Sequence, residues 1–296
     1  MATIGLFPAL ALFLGCGAML GGCGRTSGAV ISPTAPVPRE EAAPALDHAT
    51  ETPVISDFGQ LRPFFVAGET ITWKVTFLGI EGGRARMAVG TPGLVDGRLL
   101  LSVHAEGEAS GLLTAVRRVH DEIRSWVSVE SGIPARTESD SEFQGKRLQV
   151  TTVREQGTPL ADLTAARNNG PPTRRRQRLP DAGTHDPLSA LLVLRSWKAP
   201  PGACGTFHAL AGTRLWHADV KVEGRERVLT PLGGRLAVRV RGISTRLTAT
   251  LEADRTRKPR IFRAWITDDD QRIPVRIKAD TEFGPVDVRV TSYQSQ

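Results

Sequence analysis

A regular alternation of apolar and polar residues constrains the fold of this chain more than any other feature of its sequence. In GETITWKVTFLGIEGGRARMAVG, residues 68–90, Ile71, Trp73 and Val75 alternate with polar side chains. A period of two is typical of a β-strand with one buried face, because successive side chains point to opposite faces of a sheet. Three glycines near the middle of the stretch predict a turn, after which the alternation resumes. The stretch therefore predicts a β-hairpin.

Similar alternation recurs through residues 57–296, with Gly, Pro and Asp between the runs. About a dozen such strands predict a single all-β, mainly antiparallel domain, built as a strongly curved sheet or a barrel-like structure. Residues 157–183 interrupt the pattern, and we expect a loop or insert there.

One segment, THDPLSALLVLRSW at residues 184–197, has the period of a helix. Asp186 is suited to cap the helix, and Pro187 to occupy its first position, where a missing N–H costs nothing. The sequence therefore predicts a helix over residues 186–197. A second short helix is expected between Gly107 and His120, with its apolar side formed by Leu112, Leu113 and Val116.

The predicted helix over residues 186–197 is so apolar that it must be buried, most simply on the concave side of the sheet. Curved sheets and small barrels often hold an apolar ligand in such a place. If this sheet encloses a cavity, it would hold a lipid or another apolar molecule. The expected lining residues are Trp73, Leu188, Leu191, Leu192 and Trp197.

The N-terminal region carries an apolar run of a different kind. Residues 4–14 are almost continuously apolar, but a bilayer-spanning helix needs about 20 such residues. The run ends in Leu20-Gly21-Gly22-Cys23, which resembles the lipobox of bacterial lipoproteins. The resemblance implies that residues 1–22 are a signal peptide and that the sulfur of Cys23 is acylated. An ordinary secretory signal and a short helix are the alternatives.

The segment that follows is rich in Pro, Ala, Ser and Thr and has no periodicity. Residues 23–56 are therefore predicted to be the lipidated cysteine and a disordered tether. Two or three acyl chains anchor a protein durably, so we expect a lipid-anchored protein of the bacterial cell envelope that faces the periplasm. Gly24, rather than an aspartate, follows the cysteine, which favours the outer membrane.

The chain is basic, with a net charge of +7 that comes from 32 arginines and 6 lysines. Nucleic acid is not an expected partner, because no aromatic and basic platform is visible. The densest basic cluster lies between Pro, Asn and Gly residues, which favours a solvated loop; contact with an anionic lipid or glycan is the functional alternative. This cluster consists of Arg174, Arg175, Arg176 and Arg178.

No pattern of catalytic or metal-binding residues is evident. The aspartates at 268–270 lie between two predicted strands and favour a turn over a Ca²⁺ site, since the spacing of a calcium loop is missing. His185 and Asp186 favour helix capping over ligand binding, and Ser189 has no neighbouring base. The lone Cys204 is expected to be a buried small hydrophobe. We therefore expect no metal, no cofactor and no enzymatic activity.

Three stretches resemble a known family. VAGETITWKVTFLGIEGG, HDPLSALLVLR and AWITDDDQRIPVRIKADTEFGPVDVRV are similar, in this order, to the bacterial domain-of-unknown-function family 3108. They cover about residues 64–293. The resemblance implies an exported β-rich domain of a Gram-negative envelope, and it implies no activity and no catalytic residue.

Three hypotheses of function follow. The first is a non-enzymatic lipoprotein of envelope assembly or maintenance that binds a lipid in a concave sheet. The second is a structural or docking lipoprotein that binds a protein partner or glycan through its outer face. The third is a hydrolase with an Asp and His site formed only in the fold. A lined cavity would favour the first hypothesis, and a filled core with a basic exterior would favour the second.

Overall fold

The computed structural model describes residues 55–58, 61–109, 119–143, 145–281 and 284–295. Within these ranges the chain forms sixteen strands and one helix. The elements are β1 (Ile55–Asp57), β2 (Thr70–Phe77), β3 (Ile80–Val89), β4 (Gly93–Val95), β5 (Arg98–Ala109), β6 (Val119–Ser128), β7 (Pro134–Phe143), β8 (Lys146–Arg154), β9 (Leu160–Arg167), β10 (Thr173–Arg178), α1 (Pro187–Ser196), β11 (Cys204–Ala211), β12 (Arg214–Thr230), β13 (Gly233–Arg246), β14 (Arg260–Thr267), β15 (Pro274–Thr281) and β16 (Gly284–Gln294).

Two successive meanders build one sheet. The first runs from β2 to β10, with β4 paired to β5, and the second runs from β11 to β16. They join where β16 pairs with β2, and β1 adds to the free side of β11. The β1–β11 pair is parallel, and the other pairs of described strands are antiparallel. The predicted all-β, mainly antiparallel fold is confirmed.

The sheet wraps around the helix. Every residue from Pro187 to Arg195 is buried, and the helix side chains share one core with side chains from both meanders. Close packing is visible at Gly242 of β13, where an added Cβ would collide with the ring of Phe262 on β14. Apolar residues on all sides of a helix are typical of complete burial, so the concave side of the sheet is the core of the domain.

The sheet is open between β10 and β1, but its two ends approach each other. His185 bridges to β11, since its N–H donates to the carbonyl of His208 at 2.8 Å and its carbonyl accepts from the N–H of Leu210 at 2.8 Å. Side chains from both ends also form a small second core. It consists of Ala161, Leu163, Leu179, Leu210 and Leu215.

Two predictions differ from the structure. Residues 157–183 contain the hairpin of β9 and β10, where a loop or insert is expected, and the first described strand, β1, begins at Ile55, within the predicted tether. β10 carries arginines on both faces and pairs only with β9 among the described strands, so it lacks the alternation of a half-buried strand. β1 and β4 have three residues each, too few for a recognisable period. These four strands explain why the sheet has sixteen strands and not about a dozen.

Several sequence predictions lie outside the described residues. They are the signal peptide 1–22 with its lipobox Leu20, Gly21 and Gly22, the acylated Cys23, the tether up to residue 54, and the helix side chains Leu112, Leu113 and Val116. Within the described ranges, no helix combines the length and the apolar character needed to cross a bilayer.

Candidate functional site

The five predicted cavity-lining residues belong to the packed core. Their exposed fractions lie between 0 and 4 %, and all of them join the main hydrophobic cluster. Two cavities of about 430 and 380 Å³ lie elsewhere on the domain, and no member of the set lines either of them. The set therefore packs the sheet against the helix. It consists of Trp73, Leu188, Leu191, Leu192 and Trp197.

A buried polar cluster holds the N-terminus of α1. Asp186 caps the helix, as the sequence predicts, and accepts from the N–H of Ser189 at 2.7 Å. Its other carboxylate oxygen accepts from the hydroxyls of Ser125 at 2.5 Å and Thr137 at 2.6 Å. Ser189 completes a capping box, because its hydroxyl accepts from the N–H of Asp186. These groups satisfy one another inside the core and leave no reacting centre among them.

Two further buried groups flank this cap. Burial lowers the pKa of Arg154 to about 10, while the charges of Asp186 and Asp181 oppose this shift. Its guanidinium donates to the carbonyls of Thr184 at 2.6 Å and Ala182 at 2.9 Å. Burial also lowers the pKa of His185, which favours the neutral imidazole. The Arg154 side chain therefore ties the connection after β10 to β8, and the ring of His185 lies 3.4 Å from the carbonyl of Phe58.

A second buried network holds the C-terminal end of α1. Arg195 makes two hydrogen bonds to Glu69, at 2.5 and 2.9 Å, and both side chains are fully buried. Arg195 also donates to the carbonyls of Arg272 at 2.9 Å and Gln271 at 3.1 Å. In return, Arg272 donates to the carbonyls of Arg195 at 2.7 Å and Trp197 at 2.9 Å. The three stretches that carry the family resemblance therefore meet in this network.

The aspartate triplet at 268–270 forms a turn, which the sequence favours over a calcium site. Asp269 accepts from the N–H groups of Gln271 at 3.0 Å and Arg272 at 3.1 Å, and from the hydroxyl of Thr267 at 2.6 Å. Asp268 pairs with Arg225 at 2.7 Å. The carboxylates of Asp268 and Asp269 are therefore used by backbone and side-chain donors of the protein.

The histidines that the structure describes do not form a metal site. No group of three or more His, Cys, Asp or Glu side chains among the described residues is arranged to hold a metal ion. A ring nitrogen of His208 lies 3.2 Å from a ring nitrogen of His217, and these two rings contact Asp181 and Asp219, respectively.

The prediction that Cys204 is buried is wrong. Cys204 is only half-buried at the start of β11, and its thiol lies beside the carbonyl of Gly202.

The predicted arginine cluster lies on the edge strand β10. Arg176 pairs with Glu155, and Arg175 donates to the carbonyl of Thr213 at 2.8 Å. Arg174 and Arg178 are exposed on the same strand. Charged side chains on an edge strand oppose pairing with another chain, which is a sufficient structural reason for this cluster.

The outer face of the sheet carries two rows of cations that the sequence analysis missed. In each row, four basic residues lie directly opposite one another on four neighbouring strands. The first cation row crosses β12, β13, β14 and β15 and consists of Lys221, Arg241, Arg263 and Lys278. The second cation row crosses β15, β16, β2 and β3 and consists of Arg276, Arg289, Lys74 and Arg84. Strands lie about 4.8 Å apart, so each row is about 14 Å long.

The charges of these rows are only partly compensated. Arg276 and Arg289 share Asp287, with N–O distances of 2.6 and 3.0 Å. Burial would raise the pKa of Asp287, but the hydrogen bonds from both arginines outweigh it and hold that pKa below its ordinary value. Lys74 and Arg263 pair with acidic residues at 3.5 and 3.3 Å. The other four members form no ion pair with any residue that the structure describes.

An open cavity of about 430 Å³ lies where the two rows adjoin. Its rim carries four of the row cations, and the carboxylates of Asp280 and Asp287 also face it. Apolar residues, among them Ile261, Pro285 and Val286, complete its lining. Such a site can take an anionic group with an apolar neighbour. The rim cations are Lys74, Arg263, Lys278 and Arg289.

Comparison with known structures gives low similarities. A β-barrel-like DUF1849 protein from Brucella abortus is 11% identical, with a TM-score of 0.48, and the match covers 79% of this chain and 98% of the other. A Bacteroides fragilis protein, described as exported with a YmcC-like fold, is 9% identical with a TM-score of 0.32, over 80% and 100% of the two chains. A Parabacteroides distasonis protein, described as a lipoprotein, is 8% identical with a TM-score of 0.33, over 79% and 100%.

No curated protein matches the chain. The family described as a protein of unknown function, DUF3108, matches residues 70–291, which include most of the sheet, the helix and both cation rows. The match confirms the resemblance that the three sequence stretches indicate. This chain belongs to the DUF3108 family.

Proposed function

We propose that this protein is a non-catalytic lipoprotein of the bacterial cell envelope, anchored through Cys23 in the outer membrane and facing the periplasm. Its outer sheet face docks onto an anionic component of the envelope. The two cation rows carry this proposal. Like charges directly opposite each other on neighbouring strands oppose folding, and an anionic surface relieves that repulsion when it binds.

The packed core supports docking over ligand storage. The side chains expected to line a cavity are buried against one another around α1, whereas the row cations are exposed or half-buried. A filled core with a basic exterior is the arrangement expected for the second of the three hypotheses.

The position of β1, where the chain enters the domain, supports docking onto the membrane that holds the lipid anchor. Ile55 lies opposite Cys204, and Cys204 lies opposite Lys221, so β1 continues the register of the first cation row. The segment that leads from Cys23 therefore enters the sheet at the end of that row. Each basic side chain close to an anionic membrane contributes about 1 kcal/mol.

Acylation at Cys23 predicts a defined mature form. Intact mass spectrometry of the membrane-extracted protein is expected to show a chain that begins at residue 23 and carries two or three acyl groups. A Cys23→Ala variant is expected to lack the acyl mass and to leave the membrane fraction in a high-salt wash, because the acyl chains are gone and salt screens the remaining charge contacts. A mature chain that starts elsewhere, or unchanged fractionation of the variant, would refute the anchoring.

Docking predicts that the domain lies against an anionic bilayer and away from a neutral one. The full lipoprotein can be reconstituted into supported bilayers of phosphatidylcholine with or without phosphatidylglycerol, and neutron reflectometry gives the gap between protein and headgroups. We expect the gap to close only on the anionic bilayer. It should reopen at high salt, since the Debye length falls to about 3 Å at 1 M.

Variants can distinguish an effect of the cation rows from an effect of the net charge of the protein. Lys221→Gln and Arg241→Gln are each expected to lower the ratio of docked to undocked protein about fivefold, from about 1 kcal/mol per charge. Arg255→Gln and Lys258→Gln remove the same charge from the exposed loop after β13 and should leave the ratio unchanged. Equal effects of both pairs, or equal gaps on both bilayers, would contradict docking through the rows.

A further inference from the structure

The hairpin between β2 and β3 carries an apolar tip beside the cationic cavity. Leu78 and Ile80 are each 60 % exposed. Gly79, between them, lines the cavity together with Lys74 and Lys278. Single exposed apolar side chains are ordinary on protein surfaces. Here two of them lie at a hairpin tip next to a cavity whose rim carries four cations and the carboxylates of Asp280 and Asp287.

The backbone of this tip makes Leu78 a costly residue. Leu78 has a φ of 49° and Gly79 a φ of 83°, so both residues of this two-residue turn are left-handed. Such turns favour Asn-Gly or Asp-Gly, because a branched apolar side chain opposes the left-handed conformation. The chain uses the favoured pair in the turn between β4 and β5, where Asp96 has a φ of 50° and Gly97 a φ of 73°.

The fold of the hairpin therefore does not require leucine at position 78. A Cβ on Gly284 would lie 2.9 Å from Cδ2 of Leu78, so the side chain has one neighbour but stays largely in solvent. Position 78 combines a strained backbone with an exposed apolar side chain. Two such costs at one position indicate a functional role rather than a structural one. Burial of the Leu78 side chain in an apolar medium would recover the cost of its exposure and would offset the cost of its backbone conformation.

We infer that the β2–β3 hairpin tip inserts into the headgroup region of an anionic phospholipid bilayer, with a lipid phosphate in the cationic cavity. This inference rests on the proposed docking, and it specifies the hairpin that contacts the membrane and the lipid group that is bound. Arg263 and Lys278 attract the phosphate at the rim, and Leu78 and Ile80 contact the acyl chains beside it. Partly buried apolar side chains next to cations are typical of proteins that lie on membranes.

An environment-sensitive dye on the tip tests the insertion. An NBD label on Ile80→Cys, in a Cys204→Ser background, is placed in the full lipoprotein reconstituted into vesicles. We expect a blue shift of its emission in vesicles with phosphatidylglycerol and not in vesicles of phosphatidylcholine alone. The same label on Leu94→Cys is the matched control. Leu94 is 77 % exposed on a hairpin that does not line the cavity, and its label should stay aqueous.

Leu78→Asn separates insertion from folding. Asparagine is a better residue for this turn, so the variant should keep its urea midpoint or raise it, while the blue shift at position 80 is lost. Arg263→Gln and Lys278→Gln should each lower the ratio of inserted to uninserted protein about fivefold. An aqueous label at position 80, or an unchanged shift in Leu78→Asn, would overturn the inference. If the reflectometry gap still closes in that case, docking itself stands; if it does not close, both proposals fail.

Discussion

Replacing Arg195 with methionine is expected to lower the free energy of unfolding by about 3–5 kcal/mol. The substitution leaves the carboxylate of Glu69 fully buried without its partner, and removing one member of a buried ion pair costs that much. It also removes the donors to the carbonyls of Arg272 and Gln271. Urea denaturation of the full chain, followed by tryptophan fluorescence, measures the loss.

The double variant Glu69→Leu with Arg195→Met is the control for this prediction. Replacing a whole buried ion pair by apolar residues is often close to neutral, so the double variant should be more stable than either single variant. Part of the loss should persist, because two carbonyls still lack donors. Additive losses in the double variant, or a loss below about 1 kcal/mol in Arg195→Met, would contradict the role assigned to this pair.

This network brings the three family stretches together in the fold. Glu69 precedes β2, Arg195 lies in the last turn of α1, and Arg272 follows the aspartate turn, so the contacts join residues 77 and 126 positions apart in the sequence. Together they fix the C-terminal end of the helix to the sheet. These buried contacts support a role in stability. The proposed docking involves the outer face of the sheet instead.

Period-two alternation was enough to predict most of the fold. It identifies strands such as β2, in which Ile71, Trp73 and Val75 are buried and their neighbours are not. It misses β10, because an edge strand with arginines on both faces has no apolar side to repeat. The helix was predictable because Asp186, Pro187 and the leucine spacing act locally.

The cation rows were not predictable in the same way. Their members lie far apart in the sequence, and only the pairing register brings them opposite one another. A local signal does exist, since Lys221 lies between Val220 and Val222, and Lys278 between Ile277 and Ala279, with the apolar neighbours buried. A basic residue at the outward position of successive strands indicates such a row once strand order is known.

Replacing Asp186 with alanine is expected to lower the free energy of unfolding by about 4–7 kcal/mol. The loss of a helix N-cap costs about 1 kcal/mol. The hydroxyls of Ser125 and Thr137 also lose their acceptor in the core, and each buried hydrogen bond to a charged group contributes about 1.5–3 kcal/mol. Urea denaturation followed by tryptophan fluorescence measures this loss as well.

Two substitutions distinguish this cap from a general effect of charge. Asp186→Asn keeps an oxygen for the N–H of Ser189, and the two hydroxyls can turn to accept from the new amide, so we expect a loss of only about 1 kcal/mol. Asp219→Ala removes an exposed carboxylate from the outer face and should change stability by less than about 0.5 kcal/mol. Equal losses in Asp186→Ala and Asp219→Ala would show that the cap does not hold the helix. We expect Asp186→Ala to be much less stable than the other two variants, because it alone leaves three buried donors without an acceptor.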